Sequence, residues 1–229
     1  MKRLFDIVVA GLLLIVTLPL WVLVALVIKA QDGGPVLFRQ TRVGRGQREF
    51  TLLKFRSMVV DAEARGGYQT VAGDPRVTRL GHWLRRSSLD ELPQLWNVIR
   101  GEMSLVGPRP HLVKYLEIYT PSQARRHEVR PGITGLAQVR GRNELAWEDK
   151  FAYDIEYVDN RSLRLDLRIM VETVRVVLRR EGIAAPGSVT WHEFTGTPTP
   201  PDPVGASTVP ADPVLATAPD GSAATFRRP

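Results

Sequence analysis

Residues 7–28 read IVVAGLLLIVTLPLWVLVALVI, a run without a charged side chain, and this stretch decides how the chain is organised. As a helix it would be about 33 Å long, close to the thickness of the hydrocarbon core of a bilayer. A secretory signal peptide has a shorter apolar region and a small-residue cleavage site, which the residues after Ile28 do not offer. A core helix of a soluble protein is seldom so long and so uniformly apolar. The stretch therefore predicts a membrane helix.

The flanks of this helix and a proline inside it bear on its topology. Lys2 and Arg3 precede it, and Lys29 with several arginines follows it. Positive charge tends to stay on the cytoplasmic side, so a crossing helix would violate that preference at one end. Pro19 removes a backbone donor and kinks or breaks the helix, and the Thr17 hydroxyl is close enough in sequence to bond the freed carbonyl. We expect a hairpin that enters and leaves by the cytoplasmic face, with a kinked spanning helix as the alternative.

Composition bounds the rest of the chain. The formal charge is +7, which suits anionic partners such as phosphates, acidic lipids or nucleic acid. The absence of cysteine excludes disulfides and thiolate chemistry. Residues 195–229 contain eight of the 17 prolines and cannot bury enough apolar surface to offset the entropy of ordering. We predict a re-entrant membrane helix over 1–32, a cytoplasmic domain over 33–190 and a disordered tail over 191–229.

The periodicity of the middle region predicts an α+β domain. Residues 36–40 and 50–55 are expected to be strands that flank a glycine-containing turn. This hairpin is basic, which suits either anionic headgroups beside a bilayer or plain solvation. Helices are expected at 76–86, 89–99, 112–119 and 167–178. Their apolar stripes either pack a core or rest on the membrane surface, so the domain is predicted to be a small hairpin with several amphipathic helices, associated with the membrane.

Residues 87–93, SSLDELP, have the pattern of a helix start that carries two acids. Pro93 belongs in a first turn, where its missing N–H costs nothing. Asp90 and Glu91 then lie at the positive end of the helix dipole, where carboxylates are stabilised and phosphates find free N–H groups. Adjacent residues do not share a helix face, so one carboxylate could attack while the other binds a divalent metal. Taken alone, acids in a first turn are ordinary capping.

Basic residues and glycines elsewhere make a phosphate-binding site the stronger interpretation. Arg109 lies between Pro108 and Pro110, which fix the backbone on both sides and suit a guanidinium held for bidentate phosphate contact. The glycine-rich runs near residues 107, 132 and 135 would let the backbone approach a ligand closely. For any single arginine a salt bridge remains the alternative. The basic candidates for binding substrate are Lys54, Arg85, Arg109, Arg130 and Arg142.

Three motifs in this order and spacing resemble a known family. They are Ser88-Leu89-Asp90-Glu91-Leu92, Gly107-Pro108-Arg109-Pro110 and Arg130-Pro131-Gly132-Ile133-Thr134-Gly135, preceded by Lys2-Arg3-x-x-Asp6. The chain resembles the small monotopic phosphoglycosyl transferases, the bacterial sugar transferases that initiate glycoconjugate and exopolysaccharide assembly. The resemblance runs from residue 2 to about residue 189.

The resemblance implies a re-entrant membrane helix, a cytoplasmic catalytic domain and dependence on Mg²⁺. It implies that Asp90 is the covalent nucleophile and that Glu91 helps to bind the metal. Lys54, Arg85, Arg109 and Arg142 match basic positions near the active site of the family. One departure is Leu18-Pro19, where the family often has Ser-Pro; Thr17 is the candidate to supply the missing hydroxyl.

The expected reaction moves a phospho-sugar from a UDP-sugar to polyprenyl (undecaprenyl) phosphate at the inner face of the bacterial cytoplasmic membrane, releasing UMP. A covalent phospho-sugar on Asp90 would split one displacement into two. The alternatives are direct transfer without that adduct and a membrane-anchored basic protein that binds nucleic acid or acidic lipid. The chain lacks a recognisable nucleic-acid motif, so no nucleic-acid partner is predicted. The sugar, the prenyl length and the oligomeric state, a homo-oligomer included, stay open.

Overall fold

The N-terminal apolar stretch lies within one long helix, α1 (Lys2–Asp32). The structure is a computed structural model and describes residues 1–67, 70–71, 73–141, 145–179 and 193–197. Pro19 lies inside α1 and does not end it, so the expected break is not found. The Thr17 hydroxyl donates to the carbonyl of Leu13 at 2.7 Å, and not to that of Ile15, which Pro19 leaves without its usual donor. The expected role of Thr17 is therefore wrong, although back-bonding of this kind is itself a cause of helix bending.

Helix α1 has the length and composition of a membrane helix. The most apolar 18-residue window has a mean hydropathy of 2.8, and 11% of its residues are buried. A core helix of a soluble protein would be mostly buried, so that interpretation does not fit. Exposed apolar side chains cover most of the helix circumference, and they include Leu12, Ile15, Val16, Leu23 and Leu26.

Both ends of α1 are attached to the same domain. At the start, the Lys2 ammonium lies 2.6 Å from the carboxylate of Asp166. At the end, Asp32 forms an ion pair with Arg56, and Ile28 is buried. A 31-residue helix is about 46 Å long, so these two contacts hold α1 near its opposite ends. Both ends of α1 therefore belong to the same compact unit of the chain.

The predicted hairpin is present. Strands β1 (Leu37–Val43) and β2 (Glu49–Phe55) are antiparallel, with Leu37 opposite Phe55 and Val43 opposite Glu49. A short 3-10 turn over Arg45–Gln47 joins them. Two further strands, β3 (Ser104–Val106) and β4 (Gly132–Thr134), form a parallel pair. Among the described residues the sheets are thus two-stranded and small.

Helices make up most of the remaining domain, so the mixed α+β class is as predicted. The predicted helix at 112–119 is a 3-10 segment, Val113–Ile118. The predicted helix at 89–99 is divided between a 3-10 turn and a shorter α-helix. The α-helices after α1 are α2 (Ala62–Gly66), α3 (Arg79–Ser87), α4 (Gln94–Arg100), α5 (Pro121–Ala124), α6 (Leu136–Arg140), α7 (Trp147–Asn160) and α8 (Leu163–Arg179).

Two core clusters fix α3 and α4 against α1. The larger cluster brings together Ala10 of α1, Leu52 of β2, and Leu95 and Val98 of α4. The smaller cluster joins the second half of α1, the end of β2 and Leu84 of α3. Because α3 and α4 are each packed on α1 and β2, the turn between them is held at a fixed place.

The glycine-rich loops contact each other rather than leaving space for a ligand. A Cβ on Gly132 would lie 2.1 Å from the backbone nitrogen of Gly107, and a Cβ on Gly135 would lie 2.2 Å from the Gly107 carbonyl oxygen. No side chain fits at such distances, so these glycines allow two backbone segments to cross. The close approach predicted for these residues is correct in kind, but the partner is the protein's own backbone.

Helix α8 has one side packed in the domain core and an apolar stripe that is left exposed. Asp166 and Ile169 are buried, so that face packs against the domain. A second apolar stripe is exposed, with values between 42% and 76%, and a row of exposed arginines flanks it at 100° per residue. The stripe consists of Leu163, Leu167, Val171, Val174 and Leu178, and the flanking row of Arg164, Arg168, Arg175 and Arg179.

Part of the predicted tail is described. Residues 193–197 contact the domain through Phe194, whose ring centroid lies 5.2 Å from that of Trp147 and 5.0 Å from that of Phe151. Glu193 forms an ion pair with Lys114. The rest of the predicted tail, residues 191–192 and 198–229, lies outside the described residues, and the domain limits at 32 and 190 stay predictions.

Candidate active site

The two acids lie in the turn between α3 and α4. Helix α3 ends at Ser88, whose φ of 58° is left-handed and whose N–H bonds back to the last turn. A 3-10 turn, Leu89–Glu91, follows, and Leu92 and Pro93 continue in helical conformation into α4. The predicted helix start is therefore correct in place, although its first turn is 3-10 rather than α.

Asp90 is a buried carboxylate without a bonded partner. Its exposed fraction is 8%, and in the described part of the chain no group donates a hydrogen bond to it. Burial raises the pKa of Asp90 above its ordinary value; the charge of Lys54 opposes that shift and the charge of Glu91 adds to it. The group is thus a poorly solvated carboxylate with its oxygens available.

Glu91, the next residue, is in the opposite state. Its carboxylate lies 3.0 Å from the Lys54 ammonium, and the Arg109 guanidinium contacts both of its oxygens at 2.6 and 3.3 Å. Burial alone would raise the pKa of Glu91, but the charges and hydrogen bonds of Arg109 and Lys54 together lower it. Glu91 is therefore ionised, and the charges of Lys54 and Arg109 compensate its negative charge. Asp90 beside it forms no ion pair with a described residue.

Arg85 is a third cation at this place. Its Nε donates to the Ser57 hydroxyl at 2.8 Å. Burial lowers the pKa of Arg85, while the charge of Asp90 raises it, as expected for two groups that are electrostatically coupled. Among the predicted basic candidates, the structure thus brings Lys54, Arg85 and Arg109 to the two acids. The Arg109 fork that the sequence predicts for phosphate binds a carboxylate here.

Arg130 does not lie with this group. Its Nε donates to the carbonyl of Gly101 at 2.8 Å, and Gly101 follows the last residue of α4, whereas Asp90 precedes the first. The seven residues of α4, about 10 Å of helix, lie between these two places. Arg130 instead lines a separate cleft of about 510 Å³ with Arg45, Arg48 and Glu102 among its neighbours. The structure does not bring Arg130 to the two acids, because Arg130 caps the far end of α4. A role for Arg130 in binding substrate therefore stays a prediction, and Arg142 lies outside the described residues.

Sequence reasoning missed Arg126 and Asp154. Arg126 is buried, and its guanidinium lies 2.6 Å from Asp154 and 2.7 Å from the backbone carbonyl oxygen of Arg109. Arg126 is one of three consecutive polar residues, Arg125-Arg126-His127, in which nothing marks one arginine as buried. Asp154 likewise lies in a helix rich in charged residues. Their pairing depends on tertiary contact alone.

The chemistry of the two acids is compatible with a magnesium ion that is shared with a substrate phosphate. Mg²⁺ is commonly bound by one or two carboxylates together with substrate phosphates, rather than by a cage of protein ligands. Within the described ranges no group of three or more acidic, histidine or cysteine side chains could form such a cage. Asp90 has carboxylate oxygens without a hydrogen-bond partner and suits this kind of ion, and Glu91 is the adjacent second carboxylate.

The chain belongs to the bacterial sugar transferase family, whose pattern matches residues 1–180. That match covers α1, the turn with Asp90 and Glu91, and both glycine loops. It removes the alternative of a basic binding protein without chemistry, because the family is one of transferases.

Individual relatives are similar over most of this chain. It is 48% identical to the uncharacterized sugar transferase EpsL of Bacillus subtilis, over 86% of this chain and 96% of that protein. It is 47% identical to the UDP-glucose:undecaprenyl-phosphate glucose-1-phosphate transferase of Caulobacter vibrioides, over 77% of this chain and 69% of that protein. It is 46% identical to the UDP-galactose-lipid carrier transferase of Erwinia amylovora, over 80% of this chain but 41% of that longer protein.

Replacing Arg109 by lysine tests the geometry at Glu91. Lysine keeps the charge but cannot contact both carboxylate oxygens as a planar fork does. We expect transferase activity to fall about 10- to 100-fold in Arg109→Lys, the order expected when a positioned group is misplaced. Arg130→Lys is the contrasting variant: it should lower the melting temperature while sugar transfer stays within about twofold of the unmodified protein. A larger loss of activity in Arg130→Lys than in Arg109→Lys would contradict the placement of both residues.

Proposed function

We propose that the chain transfers a sugar phosphate from a UDP-sugar to undecaprenyl phosphate by way of a covalent phospho-sugar on Asp90. The observation that carries the proposal is the contrast between the two acids. Asp90 is buried and unpaired, whereas Glu91 is neutralised by Lys54 and Arg109. The names of the Caulobacter and Erwinia relatives, which specify UDP-sugars and a lipid carrier, support the substrates.

The reaction proceeds in two displacements. A carboxylate oxygen of Asp90 attacks the β-phosphorus of the UDP-sugar, and the bond from that phosphorus to the bridging oxygen breaks, so that UMP leaves. A phosphate oxygen of undecaprenyl phosphate then attacks the same phosphorus. The Asp90–phosphorus bond breaks, which restores the carboxylate and yields undecaprenyl-diphosphate-sugar.

The surrounding cations make the first step feasible. An anionic carboxylate must approach an anionic diphosphate, and fixed positive charges in a poorly solvated place offset that repulsion. Lys54, Arg85 and Arg109 supply them, and Glu91 keeps two of the three oriented. Because Glu91 carries the ion pairs, Asp90 needs none of its own and its oxygens stay free to attack.

A magnesium ion belongs to the proposal as a cofactor. When bound, it would supply positive charge to the phosphate oxygens, with Asp90 and Glu91 as its protein ligands. Asp90 offers unpaired oxygens, and Lys54 and Arg109 hold Glu91 in place beside them.

Removal of divalent ions tests this part of the proposal. We expect EDTA to reduce UMP release from the UDP-sugar to background and excess Mg²⁺ to restore it, because the cations of the protein alone leave part of the diphosphate charge uncompensated. Undiminished UMP release after exhaustive chelation would exclude the ion. The matched control is Ca²⁺ added back in place of Mg²⁺, which its larger size and looser geometry should make a poorer substitute.

We further propose that α1 enters and leaves the membrane from the cytoplasmic face. Support comes from the attachment of both its ends to the same domain, through Lys2 with Asp166 and Asp32 with Arg56. The exposed apolar stripe of α8 and its row of arginines suit a helix lying at the headgroup level of a bilayer. Such an arrangement would bring Asp90 to the surface where undecaprenyl phosphate presents its own phosphate.

Labelling of single cysteines tests the topology, since the chain has none of its own. Leu4→Cys and Gln31→Cys place a thiol at exposed positions near the two ends of α1. We expect a membrane-impermeant maleimide to label neither variant in intact cells and both after permeabilisation, because both ends would face the cytoplasm. Labelling of one of the two in intact cells would show a spanning helix.

The Asp90→Asn variant tests the nucleophile. An amide of the same shape keeps the packing but cannot form the adduct, so we expect UMP release to fall by at least about 10³-fold. The measurement is UMP formed from a panel of UDP-sugars with undecaprenyl phosphate, together with mass spectrometry of the quenched protein for a phospho-sugar on residue 90. Asp159→Asn, at an exposed position of α7, should retain activity. Near-normal turnover in Asp90→Asn would refute the covalent route.

A further inference from the structure

A buried ion pair lies behind the loop that carries Arg109. Arg126 and Asp154 are 2% and 3% exposed, and the Arg126 Nε and Nη2 atoms lie 3.0 and 2.6 Å from the same Asp154 oxygen. Replacing a buried ion pair by apolar residues of similar size is often neutral or stabilising, because both charges lose their hydration. Stability alone is therefore a weak explanation for this pair.

The pair has a second contact that points to the site. The Nη2 atom of Arg126 also donates to the backbone carbonyl oxygen of Arg109 at 2.7 Å. Asp154 fixes the guanidinium from α7, and the guanidinium in turn fixes the peptide from which the Arg109 side chain projects. A chain of direct contacts thus runs from Asp154 through Arg126 and Arg109 to Glu91.

The two residues after Arg109 are held in the same manner. The Pro110 carbonyl accepts from Nη1 of Arg42 at 3.3 Å, and the His111 carbonyl accepts from the Val43 N–H at 3.1 Å. Three successive carbonyls of this loop are therefore bonded from outside it. The Arg109 side chain itself is 46% exposed, so its own packing does little to fix its direction. The bonds to the backbone supply that restraint.

We propose that Arg126, locked by Asp154, is a positioning residue for the transferase site. It holds the Arg109 peptide so that the Arg109 fork meets both oxygens of Glu91. The inference rests on the proposed function, since it concerns the same site. It assigns to α7, through Asp154, a part in setting the geometry of the acids.

An apolar replacement of the whole pair separates positioning from stability. In Arg126→Met/Asp154→Leu, no unpaired charge is left in the interior, so the domain should stay folded with a melting temperature within a few degrees of the unmodified protein. The bond to the Arg109 carbonyl is lost. We expect kcat for UMP release to fall about 10- to 100-fold, with KM for the UDP-sugar changed much less. Amide hydrogen exchange of the segment 107–111 should be faster.

The neighbouring pair Arg125 and Asp159 provides the matched control. It joins the same two elements, the turn Arg125–Glu128 and α7, but it is exposed and makes no contact with the Arg109 loop in the described structure. Arg125→Met/Asp159→Leu should leave both kcat and the exchange of segment 107–111 unchanged. Arg126→Lys is a second test, since lysine can pair with Asp154 but lacks a fork for both partners. It should show the same loss in kcat.

The inference is overturned if the Arg126→Met/Asp154→Leu protein is folded and has the kcat and the segment exchange of the unmodified protein. It is overturned as well if Arg126→Lys, with an unchanged melting temperature, keeps full kcat. These outcomes differ from a failure of the proposed function, in which the unmodified protein releases no UMP from any UDP-sugar. In that case the exchange of segment 107–111 still reports whether Arg126 fixes the loop.

Discussion

The binding of Glu91 by two cations is the interaction on which the rest of the site depends. Two adjacent carboxylates in a poorly solvated turn repel each other, and a substrate diphosphate adds further negative charge. Lys54 and Arg109 neutralise the charge of one of the two acids, Glu91. The other, Asp90, is then left buried, unpaired and close to positive charge. Of these two neighbouring residues, Glu91 therefore binds the cations of the site, and Asp90 keeps a free carboxylate.

This arrangement requires elements distant in the sequence to meet at one turn. Lys54 comes from β2, and Arg109 comes from the loop after β3. The loop begins at Gly107, which lies against Gly132 and Gly135 at distances that leave no room for a Cβ. The same loop is bonded by Arg126 from the turn Arg125–Glu128 and by Arg42 from β1. The main role of the small sheets is thus to direct the path of the Arg109 loop, and their contribution to the size of the core is minor.

Much of the site could be predicted from local sequence. The proline after Asp90 and Glu91 marks a helix start, and two prolines mark the rigid backbone around Arg109. Partners across the fold could not be predicted in this way. Arg130, like Arg109, has a proline next to it and a glycine two residues away, yet it caps the C-terminal end of α4. Arg126 has no local signal at all and proves to be buried beside the site.

The sequence by itself determined a long apolar helix, a basic α+β domain and the acids Asp90 and Glu91 at a helix start, because apolar periodicity, charge and proline position act over a few residues. Only the tertiary structure decided that Glu91 takes both cations, that the loop glycines serve a backbone crossing and that both ends of α1 attach to one domain. Each of these outcomes joins residues that are between 18 and 164 positions apart in the sequence. Ion pairs and close contacts depend on distances in space, which local sequence does not specify.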